Sequence, residues 1–435
     1  MTTISTPGKR RRETTSRHRM PVRTIIAASV GNAVEWFDWT VYATFAVFFA
    51  GQIFPGDATG ALLATFLTYA LAFFFRPLGG ILIGRLADVR GRKAGMLLTI
   101  TLMAGGSLLI AILPTFSAVG WLAPALLFIA RVAQGISLGG EVSNASSYLG
   151  EIAPPERRGR YSAFFYMSTG FTVLLASLLG ALMTSLLSPE DLAGWGWRIP
   201  FFIGAVLGLV GLWLRRDMTE SDKFEESKEK AQSVRRPLWT TLTKHPKSVL
   251  ILVALTMVGT LTYYTNFSAL APYAITFKGA EKSQVFWALS LATAVFVALQ
   301  YPLGALSDRI GRKPLLITMT AGTAVLIVPL SGLVGPGFGN MFAVYVVGLG
   351  LYAMHAALNP AFASELFPTH LRATGIGSWY NLTVATFGGT ATLVVTWLGG
   401  MGIGHVFFWY VSVAAALAFL VVLFVMPETK GKILD

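Results

Sequence analysis

Twelve stretches of about 20 mostly apolar residues fill most of this chain, and few folds can accommodate that pattern. They run approximately over residues 24–50, 60–86, 94–114, 122–150, 161–187, 197–214, 248–276, 283–306, 314–334, 340–364, 374–399 and 404–426. Hydrocarbon offers no water to backbone N–H and C=O groups, so each stretch reads as a membrane-spanning helix that satisfies them internally. Only 13% of the residues are charged, too few to cover the surface of a soluble domain this long. Glycines recur inside the apolar runs, as at 207–213 and 346–351. In water they would weaken helices, whereas in lipid they let helices approach closely.

Charge then organises the spans. With both termini on one side, all but five of the 34 lysines and arginines fall on that side. The exceptions are Arg198, Lys278 and Lys282 on the opposite side and Arg76 and Arg131 within spans. Such an asymmetry predicts a multi-pass protein of the plasma (cell inner) membrane with cytoplasmic termini. The divisions expected are a basic tail over 1–23, a six-helix half over 24–214, a polar linker over 215–247, and a second half with a short tail over 248–435.

The same features exclude several function classes. The tail carries Lys9, Arg10, Arg11, Arg12, Arg17, Arg19 and Arg23 without an aromatic residue among them to stack on bases, so it reads as a membrane anchor and not as a nucleic-acid site. Cysteine is absent and the five histidines are scattered, so no metal or other cofactor is expected. No GxxxxGK loop supplies ATP chemistry, and no nucleophile–base pair suggests an enzyme.

The halves repeat. GRLADVRGRK at 84–93 returns as GALSDRIGRK at 304–313, and EIAP at 151–154 with Arg158 returns as ELFP at 365–368 with Arg372. Internal duplication is a transporter signature, with substrate expected between the halves of a functional monomer. Along nearly its whole length the sequence resembles the major facilitator superfamily: the loop motif occurs twice and MPETKG closes the chain at 426–431. More narrowly it resembles the metabolite:H+ symporters through GNAVEWFD at 31–38, FRPLGG at 75–80, ARVAQGISLGGE at 130–141, WGWRIPF at 195–201 and ELFP at 365–368. FGG at 387–389 followed by FFWY at 407–410 is similar to the α-ketoglutarate and organic acid permease branch. The resemblance implies an all-α membrane protein of twelve transmembrane helices in two pseudo-symmetric six-helix bundles. It also implies alternating access and proton-coupled carriage of a small organic acid or a zwitterionic osmolyte.

Ionisable groups inside a membrane cost at least ~2.5 kcal/mol each and mark function. Five lie in the N-terminal half (Glu35, Asp38, Arg76, Arg131 and Glu141), and His355 is the counterpart in the C-terminal half. Glu35 and Asp38 stand three residues apart on one helix near mid-bilayer. Neither desolvation nor mutual repulsion favours two charges there, so the pair is the candidate for proton coupling. Arg131, with Gln134 three residues on, is a candidate for carboxylate capture through its planar fork, or for a standing ion pair with Glu35 or Asp38. Arg76, ahead of Pro77, is a second candidate anion ligand or a gate group, and Glu141 is read as a gate group.

In the superfamily, spans seven and ten line the pathway. That makes Tyr263, Tyr264 and Asn266 in span seven and Tyr352, His355 and Asn359 in span ten candidate substrate contacts, with Tyr380 and Asn381 in span eleven. The repeated loops are expected to be gates. Asp88 and Asp308 can face a helix N-terminus, and Arg92 and Arg312 can reach carboxylates such as Glu151 and Glu365. Two intramembrane arginines favour an anionic substrate carried with protons. A betaine-type osmolyte would want an aromatic cage, and a transporter-like sensor that binds without transport is the reading from another class.

Overall fold

The structure is a computed structural model that describes residues 22–90, 92–152, 155–216, 237–367 and 378–432. The described residues form helices joined by short turns. The first helix is Val22–Ile53. The second span is Ala58–Phe74 with Arg76–Arg90, and the third is Arg92–Ala111. The fourth is Leu122–Ile152, the fifth Arg158–Leu186 and the sixth Arg198–Arg216. In the second half, the seventh runs from Pro246–Tyr264 through a π-turn at Thr265–Ala269 into Leu270–Phe277. The eighth is Lys282–Ile310 and the ninth Lys313–Ser331. The tenth joins Phe338–Ala356 to Asn359–Leu366. The eleventh passes a π-turn at Val384–Gly388 into Gly389–Gly400, and the twelfth is His405–Phe424. Eleven of these, from the second span onward, are long and apolar enough to cross a membrane.

Two spans expected as single helices are each two. The second breaks at Phe75, because Pro77 has no N–H to give the Phe73 carbonyl. The tenth breaks at Ala357–Leu358, where Pro360 deprives the Ala356 carbonyl in the same way. The first break places Arg76 at the start of a new helix, against the helix to which Gly135 and Gly139 belong.

Packing relies on missing side chains. A β-carbon at Gly79 would strike the Ile136 carbonyl, one at Gly135 the Ala72 carbonyl, and one at Gly139 the Arg76 carbonyl. Spans two and four therefore touch backbone to backbone, which accounts for Gly79, Gly80, Gly135 and Gly139 of those strings. Replacing Gly139 with alanine is expected to destabilise the protein by about 1–3 kcal/mol or more, as overpacking does. Gly105, with nothing within 4 Å of a built β-carbon, is the control. Equal thermal stability of Gly139→Ala and Gly105→Ala in detergent would show that this contact is not needed.

The two halves meet along two seams. Spans five and eight run together from Gly159 against Gly304 and Ser307, through Gly170 against Phe296 and Gly180 against Phe286, to a Ser185–Ser283 hydroxyl contact of 3.0 Å. Spans two and eleven meet through Phe73 on Gly389 and Thr59 on Gly400. Large apolar side chains such as Ile81, Leu186, Val325 and Phe424 stay exposed on the outside, as a lipid-facing belt requires.

Candidate functional site

The first helix brings Asp38 into the interior of the N-terminal half, where it is 1% exposed. Gly204 of the sixth span leaves room beside it. Three polar side chains from two other spans converge on that carboxylate. Arg131 Nη1 donates to Oδ2 at 3.2 Å, Ser107 Oγ donates to Oδ1 at 2.6 Å, and Gln134 Nε2 donates to Ser107 Oγ at 3.1 Å. Arg131 is fully buried, and its guanidinium lies over the Tyr42 ring at 3.7 Å. Only one edge of that guanidinium is used. Nε and Nη2, the side-on edge that matches a carboxylate, have no hydrogen-bond partner among the described residues, and neither does Gln134 Oε1. Nε is unpartnered on Arg76, Arg158, Arg160 and Arg312 as well, so it is the additional free Nη2 that sets Arg131 apart among the described arginines.

Glu35 is equally buried but faces elsewhere. It lies within electrostatic reach of Tyr264 on the seventh span, as does Arg76. The two carboxylates expected to act as a pair thus have different surroundings, one inside the N-terminal half and one toward the seam. The guanidinium of Arg76 lies over Phe73 at 3.8 Å and beside Trp39 at 4.9 Å, with Nε unpartnered among the described residues.

Across the seam the C-terminal half presents an aromatic wall. Tyr263 meets Trp36 edge-on at 5.2 Å and contacts Tyr352, and Phe296 stacks on Tyr352 at 5.5 Å. Asn359 donates to the Tyr166 hydroxyl at 2.6 Å, a bond between the halves, and Tyr380 also approaches Tyr166. Asn266 and His355 are turned to helix packing instead. The Asn266 amide donates to its own helix at Thr262 O and fills the space over Gly348, while the His355 ring lies on Gly259 beside Phe362. Asn381 is partly buried at the start of the eleventh span.

At the motif end of the bundle a second polar cluster joins the halves. Asp308 accepts from the backbone N–H groups of Gly159 and Arg160 at 2.8 and 3.2 Å, so it sits at the N-terminus of the fifth span, where partial positive charge favours an anion. Arg312 donates to Asp308 at 2.9 Å and reaches Glu365 at 3.4 Å. Arg158 of the other half donates to the same Glu365 oxygen at 3.0 Å, and Thr429 Oγ1 donates to the other oxygen at 2.6 Å. Glu428 accepts the backbone N–H groups of Arg312 and Lys313 at the start of the ninth span. Burial works against its charge, but these donors with those of Lys430 and Thr429 outweigh it and hold the carboxyl below the usual range. Gly311 takes φ +105°, which explains the glycine of the loop motif.

From sequence, His355 stands alone among ionisable groups inside the C-terminal half. The structure adds Arg312 and Glu365, both fully buried, because the tail folds over them. The side chains of Asp88, Arg92, Glu141 and Glu151 lie outside the described residues. Residues that sequence reasoning misses are Trp39, Tyr42, Ser107 and Tyr166, with Arg158 as a bond between halves. Trp39 directly follows the 31–38 string, and Ser107 stands out as a polar residue in an apolar run.

A Major Facilitator Superfamily model matches residues 28–280, and a Sugar (and other) transporter model matches residues 214–435. The chain is 37% identical to the alpha-ketoglutarate permease of Escherichia coli K12, covering 96% of each protein. It is 34% identical to the inner membrane metabolite transport protein YhjE of the same organism, covering 94% of each. It is 32% identical to a protein named as a proline/betaine transporter in Staphylococcus haemolyticus, covering 94% of this chain and 88% of the other. Among solved structures, the inward-open xylose transporter XylE of E. coli superposes with a TM-score of 0.73 at 19% identity, covering 94% of this chain and 97% of the other. A partially occluded inward-open form of XylE gives 0.72 at 18%, covering 95% and 99%. At such identities the likeness bears on the fold alone.

Proposed function

Because this chain belongs to the Major Facilitator Superfamily, a family of multi-pass membrane transporters, we propose that it carries a small organic anion together with protons by alternating access. We place it in the cell membrane with both termini and the loop motifs on the cytoplasmic side, on the strength of the basic-residue asymmetry.

One observation carries the reading. Arg131 is fully buried, bound on one edge by Asp38 and open on the other. A buried arginine needs an anion, and Asp38 supplies one while it is ionised. Protonating Asp38 removes that compensation, and an incoming substrate carboxylate on the Nε–Nη2 edge restores it. Proton and anion then favour each other's binding, which is the coupling free energy a symporter requires. Glu35, buried near the seam, is the second group in this scheme able to take a proton.

Uptake into proteoliposomes should therefore follow an imposed pH gradient and collapse with a protonophore. Asp38→Asn should exchange substrate across the membrane but no longer accumulate it. Accumulation that ignores the protonophore, or that persists in Asp38→Asn with Glu35→Gln, would leave a uniporter or a sodium-driven carrier.

A zwitterionic osmolyte is the second reading. The aromatic wall of Trp36, Tyr263 and Tyr352 favours it, since aromatic faces attract quaternary ammonium groups. One of the relatives also bears a proline/betaine transporter name.

A further inference from the structure

The Trp39 indole is shared by both intramembrane arginines. Arg76 Cζ lies 4.9 Å from its ring and Arg131 Cζ lies 5.6 Å from it. The two guanidinium carbons therefore cannot be further apart than those distances laid end to end. Each guanidinium carbon also lies over a second aromatic ring, Phe73 at 3.8 Å for Arg76 and Tyr42 at 3.7 Å for Arg131. Cation–π contact holds each cation while leaving the N–H edges unspent. Unpartnered donors remain on all three groups: Nε of Arg76, Nε and Nη2 of Arg131, and the Trp39 indole N–H. All three side chains are no more than 6% exposed.

Charge is unevenly balanced across this group. Asp38 bonds to Arg131. No ion pair between Arg76 and a carboxylate is seen among the described residues; Arg76 hydrogen-bonds Tyr264 and lies against aromatic faces, with the buried Glu35 also within electrostatic reach of Tyr264. Two positive charges held near one indole in a low-dielectric interior repel each other, and an anion with charge at both ends relieves that repulsion better than one charged at a single end. A cage for a quaternary ammonium would be the wrong sign here.

Resting on the reading of an anion carrier, we propose that Trp39, Arg76 and Arg131 form a binding site selective for two-ended anions. In this site a short dicarboxylate places one carboxylate on the Arg131 side-on edge and the other on Arg76, with Trp39 as the spacer that sets the chain length accepted. A monocarboxylate fills one guanidinium and leaves the other buried without its partner, a loss that polar sites penalise heavily.

The wild-type protein in proteoliposomes tests this with two ligand series as competitors of radiolabelled glutarate uptake. The first is butyrate, valerate and hexanoate; the second is succinate, glutarate and adipate; glycine betaine is the zwitterion control. Dicarboxylates should compete at least about tenfold better than monocarboxylates of equal length, with an optimum at one length. Trp39→Leu should flatten that length optimum, and Arg76→Gln should reduce the preference for two charges while monocarboxylates still compete. If monocarboxylates or betaine compete as well as dicarboxylates in the wild type, the two-ended site is wrong while the anion-carrier reading stands when the acids compete at all. If no carboxylate competes or is taken up, the anion-carrier reading itself fails. Should Trp39→Leu fail to fold, Trp39→Phe is the second variant, and an unchanged length optimum there overturns the spacer role.

Discussion

Replacing Arg131 with alanine is expected to reduce uptake by at least about a hundredfold and to destabilise the fold by about 3–5 kcal/mol. The fully buried guanidinium is what compensates Asp38, itself 1% exposed. Without it the carboxylate keeps only Ser107 and, through it, Gln134. Arg131→Lys separates stability from recognition. Lysine retains a charge for Asp38 but lacks the planar fork, so the protein should remain folded while anion affinity falls by about tenfold or more. Combining Asp38→Asn with Arg131→Ala removes both charges and should recover stability without recovering transport, a non-additivity typical of groups in contact. The measurements are thermal unfolding in detergent and uptake into proteoliposomes for the single and double variants. Wild-type affinity and rate in Arg131→Lys would mean that the side-on edge is not where substrate binds.

Glu365→Gln is expected to slow transport by about tenfold or more while leaving substrate affinity nearly unchanged, because the loss falls on a gate. Its carboxylate is fully buried and accepts from Arg158 of one half and from Arg312 and Thr429 of the other. Neutralising it leaves Arg158 with an amide oxygen and the Lys432 carbonyl but no carboxylate, whereas Arg312 keeps Asp308. Removing one partner of a buried ion pair costs about 3–5 kcal/mol, enough to shift a closed–open equilibrium by more than a hundredfold. The absence of cysteine makes this directly visible. A single cysteine introduced as Ser162→Cys, a position 2% exposed near the motif end of the fifth span, should label slowly in the otherwise unaltered protein. In Glu365→Gln it should label many times faster with a membrane-impermeant maleimide applied from the motif side. Unchanged labelling and unchanged turnover would show that the Arg158–Glu365 bond does not hold that end closed.

The candidate site is partly legible in the sequence. Asp38, Arg76 and Arg131 stand out because a charge costs energy in hydrocarbon wherever its helix faces. Trp39 and Tyr42 do not, since aromatic residues are common in membrane helices and nothing local marks a ring that supports a guanidinium. Asn266 and His355 show the converse. Polarity alone draws attention to them, yet close approach of glycines at 348 and 259 binds them into helix packing. The breaks at Phe75 and Ala357–Leu358 are also legible in principle, because Pro77 and Pro360 each remove one helical N–H.

What this sequence determined by itself was its solvent, its spans and its division into two halves. Those follow from hydropathy, loop charge and repetition, which are read residue by residue along the chain. Only the tertiary structure decided which charge meets which. Asp38 finds Arg131 across 93 residues, and Arg158 finds Glu365 across 207. A one-dimensional pattern leaves open how each helix is rotated about its axis, and a rotation of one residue, about 100° on a 3.6-residue turn, exchanges a partner for lipid. Packing of each helix against its neighbours sets those rotations, so Asp38 meets Arg131 while Glu35, one turn earlier on the same helix, lies within reach of Tyr264 at the seam.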